Sequence, residues 1–235
     1  MEQNIVGYQL NHPYPEGPKG ASGIGYNYIF ASNGVFIQAN NELLGAIAPV
    51  AYCNIRGLAP ETAAGVTLTH KKIPAALFDL ALDVAILKKV KEVYLAITWS
   101  DGEYHLLLVP QEGTAGSVRY SVVKNTVLQI HSHPDGLIPA FSTKDDDDEQ
   151  GLGLSLLIAN PGGQPSVAIR VGVYGSYYPI LWSEVFDGEL KGAVDAMKPQ
   201  KTKEREHVLQ SGNIVSEADP GGSWWHRFFG SGRSP

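Results

Sequence analysis

Hydrophobic residues between positions 74 and 87 recur three or four residues apart, which is the spacing of one helix face. The residues at this spacing are Leu77, Leu80, Ala81, Val84 and Leu87. Pro74 suits the first position of such a helix, where its missing N–H leaves no bond unmade, and the lysines after Leu87 suit the last turn. The pattern predicts an amphipathic helix across this stretch.

Shorter apolar runs follow and predict strands. Residues 93–99 and 104–109 flank Asp101-Gly102, a pair that favours a tight hairpin turn. Residues 127–130 read as part of a third strand, which is expected to continue to residue 133. These runs therefore predict a hairpin followed by a further strand of the same sheet.

The second half of the chain predicts one more helix and a second hairpin. Residues 149–159 read as helical and follow a run of acidic residues, which suits a helix N-terminus. Residues 166–173 and 177–182 then read as strands, separated by a turn that contains Gly175.

Residues 1–72 predict a β-rich N-terminal region, and residues 73–197 are expected to form the main domain. In the first region, Tyr26–Ala31 and residues 35–39 flank Asn33-Gly34, which favours a type I′ hairpin. The N-terminal region either packs on the main domain or presents a surface to a partner.

Residues 198–235 change in composition, from charged to Gly-rich, and predict a flexible C-terminal tail. An aromatic cluster, Trp224 to Phe229, interrupts the tail. It either docks in a protein groove or on a membrane surface, since aromatic side chains are favoured interface anchors, or it packs back on the domain. The sequence favours neither alternative.

The composition, 43% hydrophobic and 18% charged, is ordinary for a soluble globular protein. A net charge of -6 and the lack of a basic stripe argue against a nucleic-acid partner. Cys53 is the only cysteine, which excludes an internal disulfide and a cysteine zinc site. No run approaches the roughly 20 apolar residues that span a bilayer, and residues 1–4 do not start a secretory signal. We therefore expect no membrane span and a cytoplasmic location.

Two histidines end the apolar run that begins at Val127, in the order His131-Ser132-His133-Pro134. Because side chains alternate along a strand, both imidazoles should project from one face and Ser132 from the other. Pro134 cannot donate to a sheet ladder, so the strand is expected to stop after the second imidazole.

A carboxylate that could complete a metal site follows the next loop, at Asp145. Two neutral imidazoles and one carboxylate, with water in the fourth position, form a catalytic zinc set that lowers the pKa of the water to about 7. The sequence therefore predicts Zn²⁺ held by His131, His133 and Asp145. The aspartates at positions 146–148 are competing ligands.

Hydrolysis of an amide also needs a group that carries the proton to the leaving amine. Glu92 is the best candidate, because it begins a strand directly after the predicted helix and so lies at a sheet end. Four other glutamates lie in turn-like or uncertain settings and are weaker candidates: Glu42, Glu61, Glu103 and Glu112. The hydroxyl of Ser142 is expected to stabilise the developing oxyanion.

These residues resemble the pattern of the JAB/MPN metalloprotease superfamily, the JAMM proteases: a distant Glu, then His-x-His-Pro, then Ser-x-x-Asp. The matching residues are Glu92, His131-Ser132-His133-Pro134 and Ser142-Thr143-Lys144-Asp145. The resemblance implies zinc ligands at His131, His133 and Asp145, a general base and acid at Glu92, and an oxyanion partner at Ser142.

The resemblance also implies a fold for residues 73–197. This is the MPN (JAB) domain, an α/β fold whose curved, mixed and mostly antiparallel sheet is flanked by helices. The β-rich residues 1–72 would be an N-terminal extension. Eight residues lie between His133 and Ser142, one more than in the usual family pattern, and a loop can accommodate such an insertion.

Within the superfamily, the motif and its flanking residues look most like the prokaryotic JAB branch, in particular the protein A family of the bacterial PRTRC cassette. That resemblance implies a ubiquitin-like protein or its conjugate as the substrate, cleaved at an isopeptide bond or a C-terminal extension. A ThiF-type activating enzyme would be a further partner in the same system.

Two other classes of function are alternatives to a zinc peptidase. One is a catalytically inactive MPN scaffold that binds protein partners, although every motif residue is retained here. The other is a zinc deaminase, which needs a Pro-Cys-x-x-Cys segment, whereas Cys53 stands alone. The sequence therefore favours a zinc peptidase or isopeptidase.

Overall fold

Two large β-sheets contain most of the residues that the computed structural model describes, which are 4–121, 123–136 and 140–196. Helices are few and short, so the fold is mixed α/β and consists mostly of strands. All described residues belong to one compact unit. The predicted tail, residues 198–235, and its aromatic cluster lie outside the described residues.

The first sheet is formed by six described strands of the N-terminal region, in the spatial order β2-β1-β3-β4-β5-β6. They are β1 (Val6–His12), β2 (Gly17–Ala21), β3 (Tyr26–Ala31), β4 (Gly34–Asn40), β5 (Leu44–Ala51) and β6 (Gly65–Leu68). β1 and β3 are parallel, and the other neighbours are antiparallel.

The predicted hairpin between β3 and β4 forms, but the predicted type I′ turn is wrong. Ala31 pairs with Gly34, so the two turn residues are Ser32 and Asn33, and neither has the positive φ that a type I′ turn requires. The side chain of Asn33 makes a tertiary contact that the Asn-Gly pair does not indicate: its amide accepts from the N–H of Glu61 at 2.8 Å and donates to the carbonyl of Glu61 at 2.9 Å.

The predicted helix forms as α1 (Ala75–Leu87), preceded by β7 (Ile73–Pro74). Its buried face differs from the predicted stripe: the buried residues are Phe78, Ala81, Leu82 and Ala85. Leu80 and Leu87 are 53% and 82% exposed. The helix carries apolar side chains on most of its sides, so their spacing did not identify the buried face. The buried face is the one that includes Phe78, whose ring packs against Trp182.

The second sheet, here called the central sheet, has the order β15-β14-β13-β12-β8-β9 among the described strands, with β17 beside β14. The remaining elements are β8 (Val93–Ser100), β9 (Glu103–Leu108), β10 (Gln111–Gly113), β11 (Val118–Tyr120), β12 (Thr126–His133), α2 (Thr143–Asp148), β13 (Leu152–Ala159), β14 (Ser166–Val173), β15 (Ser176–Pro179), α3 (Trp182–Val185), β16 (Phe186–Asp187) and β17 (Val194–Asp195). In the central sheet, the β12–β13 and β14–β17 pairs are parallel, and the other pairs are antiparallel.

Both predicted hairpins of this sheet are confirmed. Asp101 and Gly102, with φ of 53° and 81°, connect β8 to β9, and Tyr174 and Gly175, with φ of 47° and 87°, connect β14 to β15. Positive φ at both turn residues is the type I′ conformation, whose twist matches that of the strands.

The helix predicted over residues 149–159 is wrong. The helix α2 ends at Asp148, and Leu152–Ala159 is the strand β13. β13 lies between β12 and β14 and is buried on both faces from Leu154 onward, so its residues form a continuous apolar run without alternation. Such a run does not distinguish a strand from a buried helix.

The central sheet has two different faces. On one face, called the core face here, Leu128, Ile130 and their neighbours pack against α1 and against β4 and β5 of the first sheet. The opposite face, called the site face, includes His131, His133 and Arg170 and is covered in part by the β10–β11 hairpin and α2. Among the described helices, none is long and apolar enough to cross a membrane.

Candidate metal centre

The end of β12 places two imidazoles on the site face, as the alternation along the strand predicts. His131 and His133 are each 8% exposed. Ser132 lies between them in sequence, and its hydroxyl accepts from the N–H of Val93 at 3.2 Å. β12 ends at His133, directly before Pro134, and both histidines are paired with β13, His131 with Leu157 and His133 with Ala159.

The short helix α2 brings Asp145 to these imidazoles. Ser142 is the N-cap residue, and the Asp145 carboxylate accepts from its N–H at 2.6 Å while the Asp145 N–H donates to the Ser142 hydroxyl at 3.2 Å. This reciprocal pair is a capping box, which fixes the first turn of the helix. Residues 137–139 of the preceding loop lie outside the described residues.

The three predicted ligands form one group. Nε2 of His131 lies 3.3 Å from Oδ1 of Asp145, Nε2 of His133 lies 3.9 Å from Oδ2, and one ligand atom from each residue lies within 4.8 Å of the others. Ligands at about 2.0–2.1 Å from a tetrahedral zinc ion are separated by about 3.4 Å. The group can therefore hold a metal ion after small adjustments.

A second observation also fits a metal ion at this group. Nε2 of His131 is buried and faces Oδ1 of Asp145 at 3.3 Å, but it makes no well-formed hydrogen bond to a described residue, although buried polar atoms nearly always make one. Coordination would satisfy this atom. Burial raises the pKa of the Asp145 carboxyl, but the neighbouring His131 and the hydrogen bonds from Ser142 outweigh burial, so this pKa lies below its ordinary value.

The competing aspartates are not part of this group. Asp146 pairs with Arg170, with Oδ1 at 2.6 Å from Nη1. Asp147 and Asp148 are exposed. Among residues 146–148, only Asp148 lines the cavity beside the two histidines, and it is outside the three-ligand group.

Glu92 lies directly before β8 and lines the same cavity as His131, Ser142 and Asp145. Burial raises the pKa of the Glu92 carboxyl, and the negative charge of Asp145 raises it further, while His131 and Lys144 offset part of the shift. A raised pKa suits a group that accepts and returns protons near neutral pH. The four weaker candidates, Glu42, Glu61, Glu103 and Glu112, do not line this cavity.

The β10–β11 hairpin holds Glu92 from the side. The N–H of Glu92 donates to the carbonyl of Thr114 at 2.8 Å. At Gly113, a Cβ would collide with the carbonyl oxygen of Glu92, so this close approach requires glycine. The side chain of Gln111 bonds to both the N–H and the carbonyl of Tyr94, each at 2.8 Å, in the manner of a paired strand.

Ser142 also lines the cavity, but its hydroxyl is engaged. Oγ donates to Oδ2 of Asp145 at 2.8 Å and accepts from the Asp145 N–H. The structure thus gives this serine a capping role that the motif alone did not indicate. A bond to a substrate oxyanion would replace its bond to Oδ2.

Several cavity residues were missed by the sequence analysis. Tyr94 and Tyr120 stack with ring centroids 3.5 Å apart, and burial raises the pKa of Tyr120 to about 12. Gln129 and Glu149 complete the wall near His131. Tyr94 and Gln129 each lie two positions from a predicted site residue on one strand, so alternation could have identified them.

A comparison with known protein families and with curated proteins finds no match for this chain.

Proposed function

We propose that this protein is a zinc-dependent peptidase or isopeptidase with an MPN fold. The observation that carries the proposal is one cavity lined by Glu92, Ser142 and two of the proposed zinc ligands, His131 and Asp145, with the third ligand, His133, beside them. These residues come from three separate parts of the chain. Two imidazoles and a carboxylate are a donor set typical of catalytic zinc sites.

Each residue has a distinct role in this proposal. His131, His133 and Asp145 hold the zinc ion, which when bound supplies Lewis-acid polarisation of the scissile carbonyl and a more acidic water. Glu92 accepts a proton through its carboxylate and delivers it to the leaving amine. Ser142 donates its hydroxyl to the oxygen on which negative charge develops.

We propose that the substrate enters as an extended tail. Val118 and Tyr120 of β11 line the cavity, and an added strand is a common mode of peptide recognition. The cavity is small, about 40 Å³, which suits a slender chain such as the C-terminus of a ubiquitin-like protein or its conjugate. A ThiF-type activating enzyme would then be a partner in the same system.

The proposal is tested by cleavage of a linear fusion in which a ubiquitin-like protein ending in Gly-Gly precedes a reporter. Glu92→Gln is expected to lower kcat by about 10²–10⁴-fold, because the amide does not accept a proton. Zinc content, measured by mass spectrometry of the purified protein, should stay at the wild-type level. Glu112→Gln is the matched control, since Glu112 is exposed on β10 and should leave both quantities unchanged.

If zinc-loaded Glu92→Gln hydrolyses the fusion at the wild-type rate, Glu92 is not the residue that carries the proton. A wild-type protein that binds zinc and the ubiquitin-like fusion but never cleaves it would support the scaffold alternative instead.

A further inference from the structure

Arg170 is a buried cation that takes no part in the proposed reaction. It lies on the site face of β14 and is 7% exposed. Its Nη1 lies 2.6 Å from Asp146, and Nε and Nη2 lie 2.9 and 2.8 Å from Glu149. A charge so deeply buried requires such partners.

Two aromatic rings hold the same guanidinium. Its central carbon lies 3.9 Å from the centre of the Phe141 ring and 4.1 Å from that of Tyr177. Phe141 in turn packs edge-on against His131, with ring centroids 5.7 Å apart. The hydroxyl of Tyr177 donates to the carbonyl of Asp146 at 2.6 Å. Arg170 is therefore the centre of a cluster that reaches both α2 and a proposed zinc ligand.

The helix α2 depends on contacts from outside itself. It has six residues, none of them buried, and an isolated helix of that length is unstable in water. Asp145 lies in this helix, and the partners of Arg170 flank it: Asp146 is the next residue, and Glu149 is the C-cap. The position of Asp145 relative to the two histidines is thus set by Arg170 as well as by the capping box.

We propose that Arg170 is a positioning residue that sets metal affinity by holding α2, and with it Asp145, against the end of β12. It lies outside the residues that line the cavity, so it acts through the helix rather than on substrate. This inference rests on the proposed metal site at His131, His133 and Asp145.

The direction in which metal affinity changes when Arg170 is removed distinguishes a positioning role from a purely electrostatic one. Removal of Arg170 leaves the carboxylates of Asp146 and Glu149 unpaired near the metal position. If the arginine acted only through its positive charge, its loss would strengthen the binding of a cation, because negative charge would accumulate there. If it acts by positioning, its loss weakens binding.

The test is a titration of the metal-free full-length chain with Co²⁺ alone, followed by the visible absorption of the bound ion. Arg170→Gln is expected to raise the Kd for Co²⁺ about 10–100-fold, the range for residues that orient metal ligands. The absorption per bound ion should also fall as the coordination geometry loosens. Arg170→Lys keeps the charge but loses the planar, stacked group, and should recover only part of the affinity.

Arg119→Gln is the matched control, since it removes the same charge from an exposed position on β11. If Arg170→Gln fails to fold, Tyr177→Phe removes only the hydrogen bonds of one hydroxyl to the carbonyls of Asp146 and Glu149 and should still raise the Kd several-fold. An unchanged or lower Kd in the folded variant would overturn the inference. A wild-type chain that binds no Co²⁺ would overturn the proposed function as well, whereas cobalt binding without hydrolysis would contradict only the proposed enzyme activity.

Discussion

The two faces of the central sheet are formed by the same strands but differ in function: one face forms the hydrophobic core and the other carries the candidate site. Along β12, Leu128 and Ile130 are completely buried in the main hydrophobic core, while His131 and His133 point to the opposite face. The core face is held by apolar contacts, whereas on the site face the contacts around Asp145 and Arg170 are ion pairs and hydrogen bonds, some of which a cation or substrate can rearrange. Neighbouring residues should therefore affect different measurable quantities.

The largest expected effect is the loss of metal in His133→Ala. One of the three protein ligands is removed, so zinc content should fall from about one ion per chain to near zero. The thermal midpoint of the metal-free chain should change little, because the core face is untouched. Mass spectrometry of metal content and a melting curve check the two parts.

His12→Ala is the control, since His12 lies on β1 in the other sheet. Retention of a full zinc ion by His133→Ala would mean that the site face is not the metal site.

The core face should respond to Ile130→Ala with a loss of stability of about 2–5 kcal/mol, the usual result of removing a large buried aliphatic side chain. Ile130 is adjacent to His131, yet zinc bound per folded chain should stay constant. Urea unfolding of the metal-free protein measures the first quantity.

Leu87→Ala provides the comparison, because Leu87 is 82% exposed and its loss should change stability by less than about 0.5 kcal/mol. A drop in zinc stoichiometry in folded Ile130→Ala would show that the two faces are coupled.

Gly113→Ala should disturb the site face through the backbone. The added Cβ meets the carbonyl of Glu92, which the strand holds in place, so the β10–β11 hairpin has to move away from it. We expect a loss of about 1–3 kcal/mol in stability together with lower hydrolysis at full zinc occupancy. Gly45→Ala is a control for the substitution itself, since a Cβ there meets Asn40 at an ordinary 3.7 Å. Unchanged activity in Gly113→Ala would show that the hairpin does not position Glu92.

Ser142→Ala is expected to have the smallest effect on the metal-free chain, about 1 kcal/mol at pH 7 through loss of the helix cap. The pKa of Asp145 is lowered in the folded state, so its stabilising contribution is present above the unfolded pKa of about 3.9 and is lost as pH falls. The difference between Ser142→Ala and wild type should therefore narrow below about pH 4.

Thr143→Ala is the matched control for these unfolding curves, because Thr143 is exposed and lies in the same helix but is not its N-cap residue. If the difference in unfolding free energy between Ser142→Ala and wild type stays constant down to low pH, the stabilising effect of Ser142 does not depend on the ionisation of Asp145.

Local patterns in the sequence predicted several parts of the molecule. Asp101-Gly102 specifies its turn because few residues adopt positive φ at low energy. The alternation at His131 and His133 also followed directly, since a strand has only two faces. The buried face of α1 did not follow, because apolar residues occur on most sides of this helix and only the elements packed against it decide which side is buried. The strand β13 did not follow either, because its continuous apolar run is equally compatible with a buried helix.

By itself, the sequence determined the chemistry available at the site: two imidazoles at alternate positions, a serine three residues before an aspartate, and a glutamate at the start of a strand. Strand alternation places the two imidazoles, because it acts over only a few residues, whereas the capping role of the serine came from the structure. Only the tertiary structure decided that Glu92 reaches the same cavity and that Arg170 anchors α2. Both depend on strand pairing between distant segments, whose register is set by the packing of the whole core rather than by any local pattern.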